Sequence, residues 1–287
     1  MRIEFWGVRG SIPAPGPKTV RYGGNTSCVS ARCGGAWVVF DAGTGIRDLG
    51  KTIVTAEGDP ELFLFLSHVH WDHIQGFPFF APAMRRDARI LIHGADSHDR
   101  TLSSIVHGQM EGPNFPVGLE QMGAKVRFQS LPEGAIAPLL DASGTPVASV
   151  ANARLNHPNG VLGYRLVEES TRASVVYATD TEHSQGRLDH ALVQLARDAD
   201  VLIYDGMYTP EEYPSRQGWG HSTWLEGVKV AHAAGVRHLV VFHHDPDRTD
   251  DQLDALAELA RAEAATIDPN LRLSFAREGM VLDLEGP

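Results

Sequence analysis

Short apolar runs of strand length recur along the whole chain: Arg2–Trp6, Trp37–Phe40, Leu62–Leu66, Arg89–Ile92, Val161–Val167, Ser174–Ala178, Val201–Tyr204, His238–Phe242 and Met280–Leu284. Most are too short for a helix, and they are rich in the β-branched and aromatic residues that suit a pleated, buried surface. Helical spacing marks Ile46–Val54, Thr101–Met110, Leu188–Ala196, Trp224–Ala234 and Asp251–Ala265. In the last of these, Leu253, Leu256, Leu259 and Ala260 form one apolar stripe among Ala and Glu residues. Strands and helices therefore alternate, with consecutive strands near both ends. That order predicts sheets covered by helices, an α/β or α+β sandwich in one domain spanning residues 1–287. The Gly- and Pro-rich stretches Val8–Gly24 and Gly108–Met122 read as loops on that domain rather than boundaries.

Composition narrows the function classes. The chain has 287 residues, of which 43% are apolar, enough to bury a substantial core. With 25 Lys and Arg against 36 Asp and Glu, the net charge of −11 argues against a broad electrostatic grip on nucleic acid or anionic lipid, though a local basic pocket is compatible with it. No apolar run approaches the roughly 20 residues needed to span a bilayer. Arg2, Glu4 and Arg9 interrupt the first residues where a signal peptide needs an unbroken apolar segment, so the expected location is cytoplasmic, with no membrane partner. Cys28 and Cys33, the two cysteines, lack companions for a disulfide framework or a structural zinc site and are expected to be reduced.

Histidine carries the chemistry. At the end of the Leu62–Leu66 strand, Ser67 is followed by His68-Val69-His70-Trp71-Asp72-His73, three imidazoles and a carboxylate in six residues. A lone His in a loop is ordinarily a hydrogen-bonded side chain; four ligand-type groups in one loop point to metal. Alternate residues at a strand end point the same way, so His68 and His70 can share one ion while Asp72 and His73, one turn on, face a second. One loop cannot complete two sites, so further ligands must arrive from other strand ends. His157, between the apolar segments Val147–Leu155 and Val161–Val167, Asp180 after Ser174–Thr179 and His243 after His238–Phe242 have that placement. His244 competes with His243 for the last position. His93, His98, His190, His232 and His238 have no spacing that singles them out.

On these residues the sequence resembles the metallo-β-lactamase superfamily over nearly its whole length. The resemblance implies a four-layer αββα sandwich of two mixed β-sheets with outer helices and a dinuclear site along one edge. It implies His68, His70 and His157 on the first metal, Asp72, His73 and His243 on the second, and Asp180 bridging. His70 in the middle of the signature, rather than Glu, is similar to the hydrolases of the superfamily. Imidazole and carboxylate donors without thiolate suit two Zn²⁺ ions, with Mn²⁺ or Fe²⁺ as alternatives.

Three further segments resemble the phosphodiesterase branch that contains ribonuclease Z and small cyclic phosphodiesterases: Asn25-Thr26-Ser27, Phe40-Asp41-Ala42-Gly43-Thr44-Gly45, and Gly220-His221-Ser222-Thr223 after Ile203-Tyr204-Asp205. The resemblance implies His221, held by Asp205, and Asp72 as catalytic residues. His221 would reach the scissile phosphate, with Asp205 where the branch normally has Glu. Ser222 or Thr223 also reads as a helix cap, with Glu226 three residues after Thr223. Asp41 is expected to hold its turn or a metal-bound His, and His183 to line the pocket or lie on the surface. Ribonuclease Z usually carries a Gly-rich arm for transfer RNA between the ligands matching His157 and Asp180; only 22 residues separate them here, so that arm is missing. The longer gap holds an insertion, Gly94–Gln121, whose His107, Phe115 and Pro116 are candidates to cover the site. The expected activity is hydrolysis of a small phosphodiester such as a cyclic nucleotide, by water activated between the ions, with no extended nucleic-acid surface; relatives in this branch often dimerise. The alternatives are a nuclease on short single strands, a thioester or lactone hydrolase, and a metal-binding sensor.

Overall fold

The structure, a computed structural model, describes residues 1–56, 61–97, 99–184 and 186–286. Among the described residues the strands form two seven-stranded sheets. The first half of the chain supplies β1 (Arg2–Gly7), β2 (Cys28–Cys33), β3 (Ala36–Phe40), β4 (Glu61–Phe65), β5 (Arg89–Gly94) and β6 (Lys125–Ser130). The second supplies β7 (Ile136–Leu140), β8 (Pro146–Leu155), β9 (Val161–Glu168), β10 (Ser174–Ala178), β11 (Val201–Asp205), β12 (His238–Phe242) and β13 (Arg272–Phe275); β14 (Val281–Asp283) returns to the first sheet beside β1. The sheets run β14-β1-β2-β3-β4-β5-β6 and β13-β12-β11-β10-β9-β8-β7. Each is mixed, parallel through β3–β6 and β10–β13 and antiparallel elsewhere.

The helices are α1 (Ile46–Thr55), α2 (Trp71–Ile74), α3 (Leu102–Gly108), α4 (His190–Ala196), α5 (Trp224–Ala234) and α6 (Asp250–Ile267). The inner faces of both sheets share one core, including Phe5, Phe40 and Phe65 from the first sheet and Tyr164, Tyr177 and Phe242 from the second. One outer layer packs α1 and α3 on the first sheet, and the other packs α4, α5 and α6 on the second. This is the αββα sandwich expected. Strands β3, β10, β11 and β12 are buried at every position, which is why they read as unbroken apolar runs.

Some boundaries and faces differ from the sequence reading. The fourth helix begins at His190, because Asp189 caps it by accepting the Leu192 N–H. On α6 the buried face is Leu253, Ala257, Ala260 and Ala264, while Leu259 is exposed: small residues let the helix approach α5 and β13 closely. Thr249 and Gln252 close that helix with a capping box. Among the described residues no helix is long and apolar enough to cross a membrane. Both cysteines are buried and free.

The sheets are tied together at the edge where the parallel strands end. Phe40 stacks on Tyr177 at 5.2 Å and Tyr164 at 6.1 Å, and the two tyrosines reach across to the first sheet, donating to Asp41 Oδ2 (2.8 Å) and the Leu66 carbonyl (2.6 Å). Phe40→Ala should destabilise the protein by about 3–5 kcal/mol in denaturant unfolding, because the ring is fully buried and its cavity lies between rigid aromatics; a loss below about 1 kcal/mol would mean that this inter-sheet stack is dispensable.

Candidate metal centre and active site

Ligand-type side chains collect where the parallel strands stop. Asp41 follows β3, the Ser67–His73 loop and α2 follow β4, Asp180 follows β10, Asp205 ends β11 and His243 follows β12. The pairings Ala178↔Tyr204 and Asp205↔Phe242 keep the last three strand ends level. Asp41 (φ 60°), Asp180 (φ 49°) and His243 (φ 59°) all adopt the left-handed conformation, unusual for residues with a side chain. The chain thus turns sharply one or two residues past each of these strands, and the local strain is held by the packed sheets behind it.

Two groups of donors hold the expected ligands, and a third, Asp180, Asp205, His221 and His243, overlaps the second. His68, His70 and His157 converge in one, with His157 Nε2 and His70 Nδ1 3.2 Å apart. Asp72, His73, Asp180 and His243 converge in the other. Around Asp72 Oδ2 and Asp180 Oδ1, His73 Nε2 lies at 3.1 and 3.2 Å and His243 Nε2 at 3.3 and 3.1 Å. Donors bound about 2.1 Å from one tetrahedral ion lie about 3.4 Å apart, so these are ligand-to-ligand spacings. Asp180 reaches from the second group toward the first: Oδ1 faces His73 and His243, and Oδ2 lies 3.7 Å from His68 Nε2 and 3.8 Å from His157 Nε2.

The buried ring nitrogens test whether cations fit. His68 Nε2 and His73 Nε2 are buried without any hydrogen-bond partner, a costly state unless the lone pair is used. The opposite nitrogens are fixed. His73 Nδ1 lies 2.7 Å from Asp41 Oδ2, His157 Nδ1 2.8 Å from the Gly220 carbonyl, and His68 Nδ1 3.1 Å from Ser67 Oγ. When Nδ1 of His73 and His157 donates outward, the Nε2 lone pair points inward, the arrangement metal-binding histidines adopt. Burial, followed by the neighbouring His73, pushes His68 well below its ordinary pKa, and burial likewise lowers His70 and His157, favouring the neutral form that binds metal. For Asp180, burial opposes ionisation, but His243 and His73 hold its carboxyl well below the usual range. The residues present therefore fit two divalent cations.

His244 lies outside this cluster. Its Nε2 faces the Ala276 carbonyl at 2.8 Å and its ring stacks on Phe275, while His243 faces the carboxylates. His221 stands beside the second group, with Nδ1 2.8 Å from Asp205 Oδ2 and 3.9 Å from Asp180 Oδ2. Burial disfavours charge on His221, but the charge and hydrogen bond of Asp205, reinforced by Asp180 and Asp72, push its pKa up to about 9. Asp205 is itself locked, its Oδ1 accepting from the backbone of Met207 and Ser222. Thr223 caps α5 by accepting the Glu226 N–H, so capping and positioning of His221 are served by the same segment.

Several contributors escaped the sequence reading. The Ser11 N–H donates to Asp72 Oδ2 at 2.8 Å, placing the first loop at the site. Glu182 accepts from the Gly218 and Gly220 N–H groups (2.7 and 2.8 Å) and the Tyr213 hydroxyl (3.0 Å), clamping the loop whose Gly220 carbonyl orients His157. Gly220 has φ 85°, and a Cβ there would lie 2.3 Å from His157 Nδ1. None of these contacts has a local sequence signal.

The remaining histidines are engaged elsewhere. His183 bonds Ser222 Oγ at 2.7 Å and packs on Tyr213. His107 turns back onto its own helix, Nδ1 at 2.7 Å from the Ser103 carbonyl, and packs beside Phe128; Phe115 packs against exposed Phe79. Of the insertion, Ala95, Asp96 and Ser97 line the cleft beside His68 and His70, whereas His107, Phe115 and Pro116 do not. His93 stacks on Phe65, His238 bonds Ser274, His232 pairs with Asp268, His190 is exposed, and His98 lies outside the described residues.

An αββα sandwich with two adjoining His/Asp donor groups at its strand ends is the architecture of a metal-dependent hydrolase. Residues 36–244 match the model of the beta-lactamase superfamily domain, and the chain belongs to that superfamily. Along its length it is similar to ribonuclease Z of Brevibacillus brevis, 24% identical with 84% of this chain and 85% of that protein covered. Among solved structures it resembles the metallo-beta-lactamase fold protein YhfI of Bacillus subtilis (TM-score 0.69, 18% identity, 98% and 99% of the two chains). It also resembles a diphosphatase from the PhnP family (TM-score 0.68, 18% identity, 99% and 98%).

Asp180→Ala should lower bound metal from about two ions per chain to one or none by elemental analysis, since the second donor group loses an oxygen and the first loses the carboxylate 3.7–3.8 Å from His68 and His157. Retention of both ions would contradict a bridging place for Asp180. Asp41→Asn should weaken metal binding by about 10–100-fold, because His73 loses the carboxylate that fixes its tautomer.

Proposed function

We propose that the protein is a dinuclear metal-dependent phosphodiesterase acting on a small phosphodiester. The observation that carries this reading is the His221–Asp205 pair, 2.8 Å apart and set beside Asp180, at the point where the two donor groups meet. The relatedness to ribonuclease Z supports it, as does the likeness to a PhnP-family diphosphatase.

Bound by these donors, two divalent cations, with Zn²⁺ the best match to the imidazole and carboxylate set, supply Lewis-acid polarisation and a water acidified to near-neutral pKa. The chain supplies the rest. Asp205 holds His221 Nδ1 and favours its protonated form, so that Nε2 carries a proton for the departing alkoxide or a hydrogen bond for the charge developing on the phosphoryl oxygens. Asp72, kept in place by the Ser11 N–H, is oriented toward the side of the cluster where His243 and His73 stand. The products are a phosphomonoester and an alcohol. The short His157–Asp180 segment, folded as β9 and β10, favours a small substrate over transfer RNA. A second reading, cleavage of short single strands, is favoured by Trp71, which is 81% exposed next to His70 in the chain and offers a stacking surface for a base.

His221→Ala should leave the metal content at wild-type level and slow hydrolysis of an aryl phosphodiester by about 10²-fold or more. An unchanged rate would take His221 out of the reaction. A thioester or lactone turned over faster than every phosphodiester tested would replace the phosphodiesterase reading with another hydrolase of the superfamily.

A further inference from the structure

Among the described residues, one cation that borders the cleft, Arg154, has no partner of its own. Next to His68, His70 and His157 the site widens into a cavity of about 470 Å³, lined in part by Ser97, Asn156, Gly160 and Arg154. That is room for a nucleoside or a sugar phosphate. Arg154 lies near the end of β8, its side chain exposed, and among the described residues it makes no hydrogen bond or ion pair. The acid in the same cavity, Asp96, is not paired with Arg154, and its Oδ1 accepts the Leu102 N–H at 2.8 Å.

The guanidinium has a seat. A Cβ added to Gly160 would lie 2.3 Å from Arg154 Nη2 and 2.7 Å from Cζ, so the group packs directly on the bare Cα of that glycine. Gly160 closes the turn that starts at His157, its N–H donating to the His157 carbonyl at 2.8 Å with φ 83°. The turn that carries a metal-binding candidate at its His157 end thus carries a positive charge packed on its Gly160 end. In a chain of net charge −11, an unpaired arginine at a cleft is selective for an anion. Its planar fork, always charged and weakly hydrated, matches the oxygens of a phosphate better than a single carboxylate-sized contact would require.

Building on the phosphodiesterase reading, we propose that Arg154 is a specificity residue that holds a second, terminal phosphate of the substrate: the preferred substrate is a short or cyclic phosphodiester that also carries a phosphomonoester, on the arm lying over the His157–Gly160 turn. The diester is cut at the donor cluster, and the terminal phosphate stays intact and sets the register.

The test compares a 5′-phosphorylated dinucleotide with the same dinucleotide lacking that phosphate, on metal-replete wild type, Arg154→Ala and Arg154→Lys. The proposal expects the wild type to favour the phosphorylated substrate by about 10-fold or more in kcat/KM, mainly through KM. The preference should fall toward one in Arg154→Ala and return in part in Arg154→Lys. Absence of the preference in the wild type, or its survival in Arg154→Ala, overturns the proposal. Calorimetric binding of thymidine 3′,5′-bisphosphate against thymidine 3′-monophosphate reads the same contact without turnover. The bisphosphate should bind about 10-fold more tightly to wild type and lose that advantage in Arg154→Ala. Failure to cleave either dinucleotide while the bisphosphate advantage holds would contradict the phosphodiesterase reading and leave the anion site standing; equal binding of the two nucleotides overturns the site whatever the enzyme cleaves.

Discussion

Four carboxylates, Asp41, Asp72, Asp180 and Asp205, are buried along one edge of the sandwich, and the rest of the site depends on how their charge is met. Taking a carboxylate out of water costs several kcal/mol unless it is paired and hydrogen-bonded. Asp41 answers this with protein groups alone: the Ser67 N–H and hydroxyl, the Tyr177 hydroxyl and His73 all meet it within 2.8 Å. Asp205 does so with backbone donors and His221. Asp72 and Asp180 each accept from one non-histidine donor, the Ser11 N–H and the Thr179 hydroxyl, and otherwise face ring nitrogens at contact distance, with His68 Nε2 and His73 Nε2 left unbonded. Their charge and those lone pairs are complementary to cations, and the binding energy of the ions is then part of the stability of the folded site.

The fold serves that arrangement by stopping several strands at one level. Parallel strands leave their C-terminal ends together, and three of those ends are followed within two residues by a left-handed residue that is itself a site residue. The tyrosines of the second sheet that hydrogen-bond to the first sheet do so next to Asp41 and the Ser67–His73 loop. The contact that fixes the separation of the sheets therefore also fixes the separation of ligands drawn from both. Farther out, Glu182 holds the segment that brings Gly220 against His157 and His221 against Asp205, so one buried carboxylate sets two histidines.

Much of this was legible in the chain. The run His68 to His73 after a buried strand is local, and local patterns survive translation into structure. Strands covered on both faces, such as β10 and β11, were visible as continuous apolar runs. Strands β2, β6, β7 and β13 were missed because Ser, Arg, Lys and Gln interrupt them or because exposed and buried positions alternate over too few residues. The choice between His243 and His244 could not be made from position alone, since both follow β12 directly; it is decided by the backbone turn at His243 and by the pocket that Phe275 and Ala276 make for His244. Ser11, Tyr177 and Glu182 act through partners at least 31 residues away in sequence, a separation at which no local pattern carries information.

The central claim is that seven side chains drawn from both sheets enclose a pair of cations. Anomalous X-ray diffraction from crystals of the metal-loaded protein tests it most directly. The account predicts two peaks about 3.5–4 Å apart, one among His68, His70 and His157 and the other among Asp72, His73 and His243, with Asp180 between them. No peak at this edge of the sandwich, or metal bound only elsewhere on the chain, would contradict it.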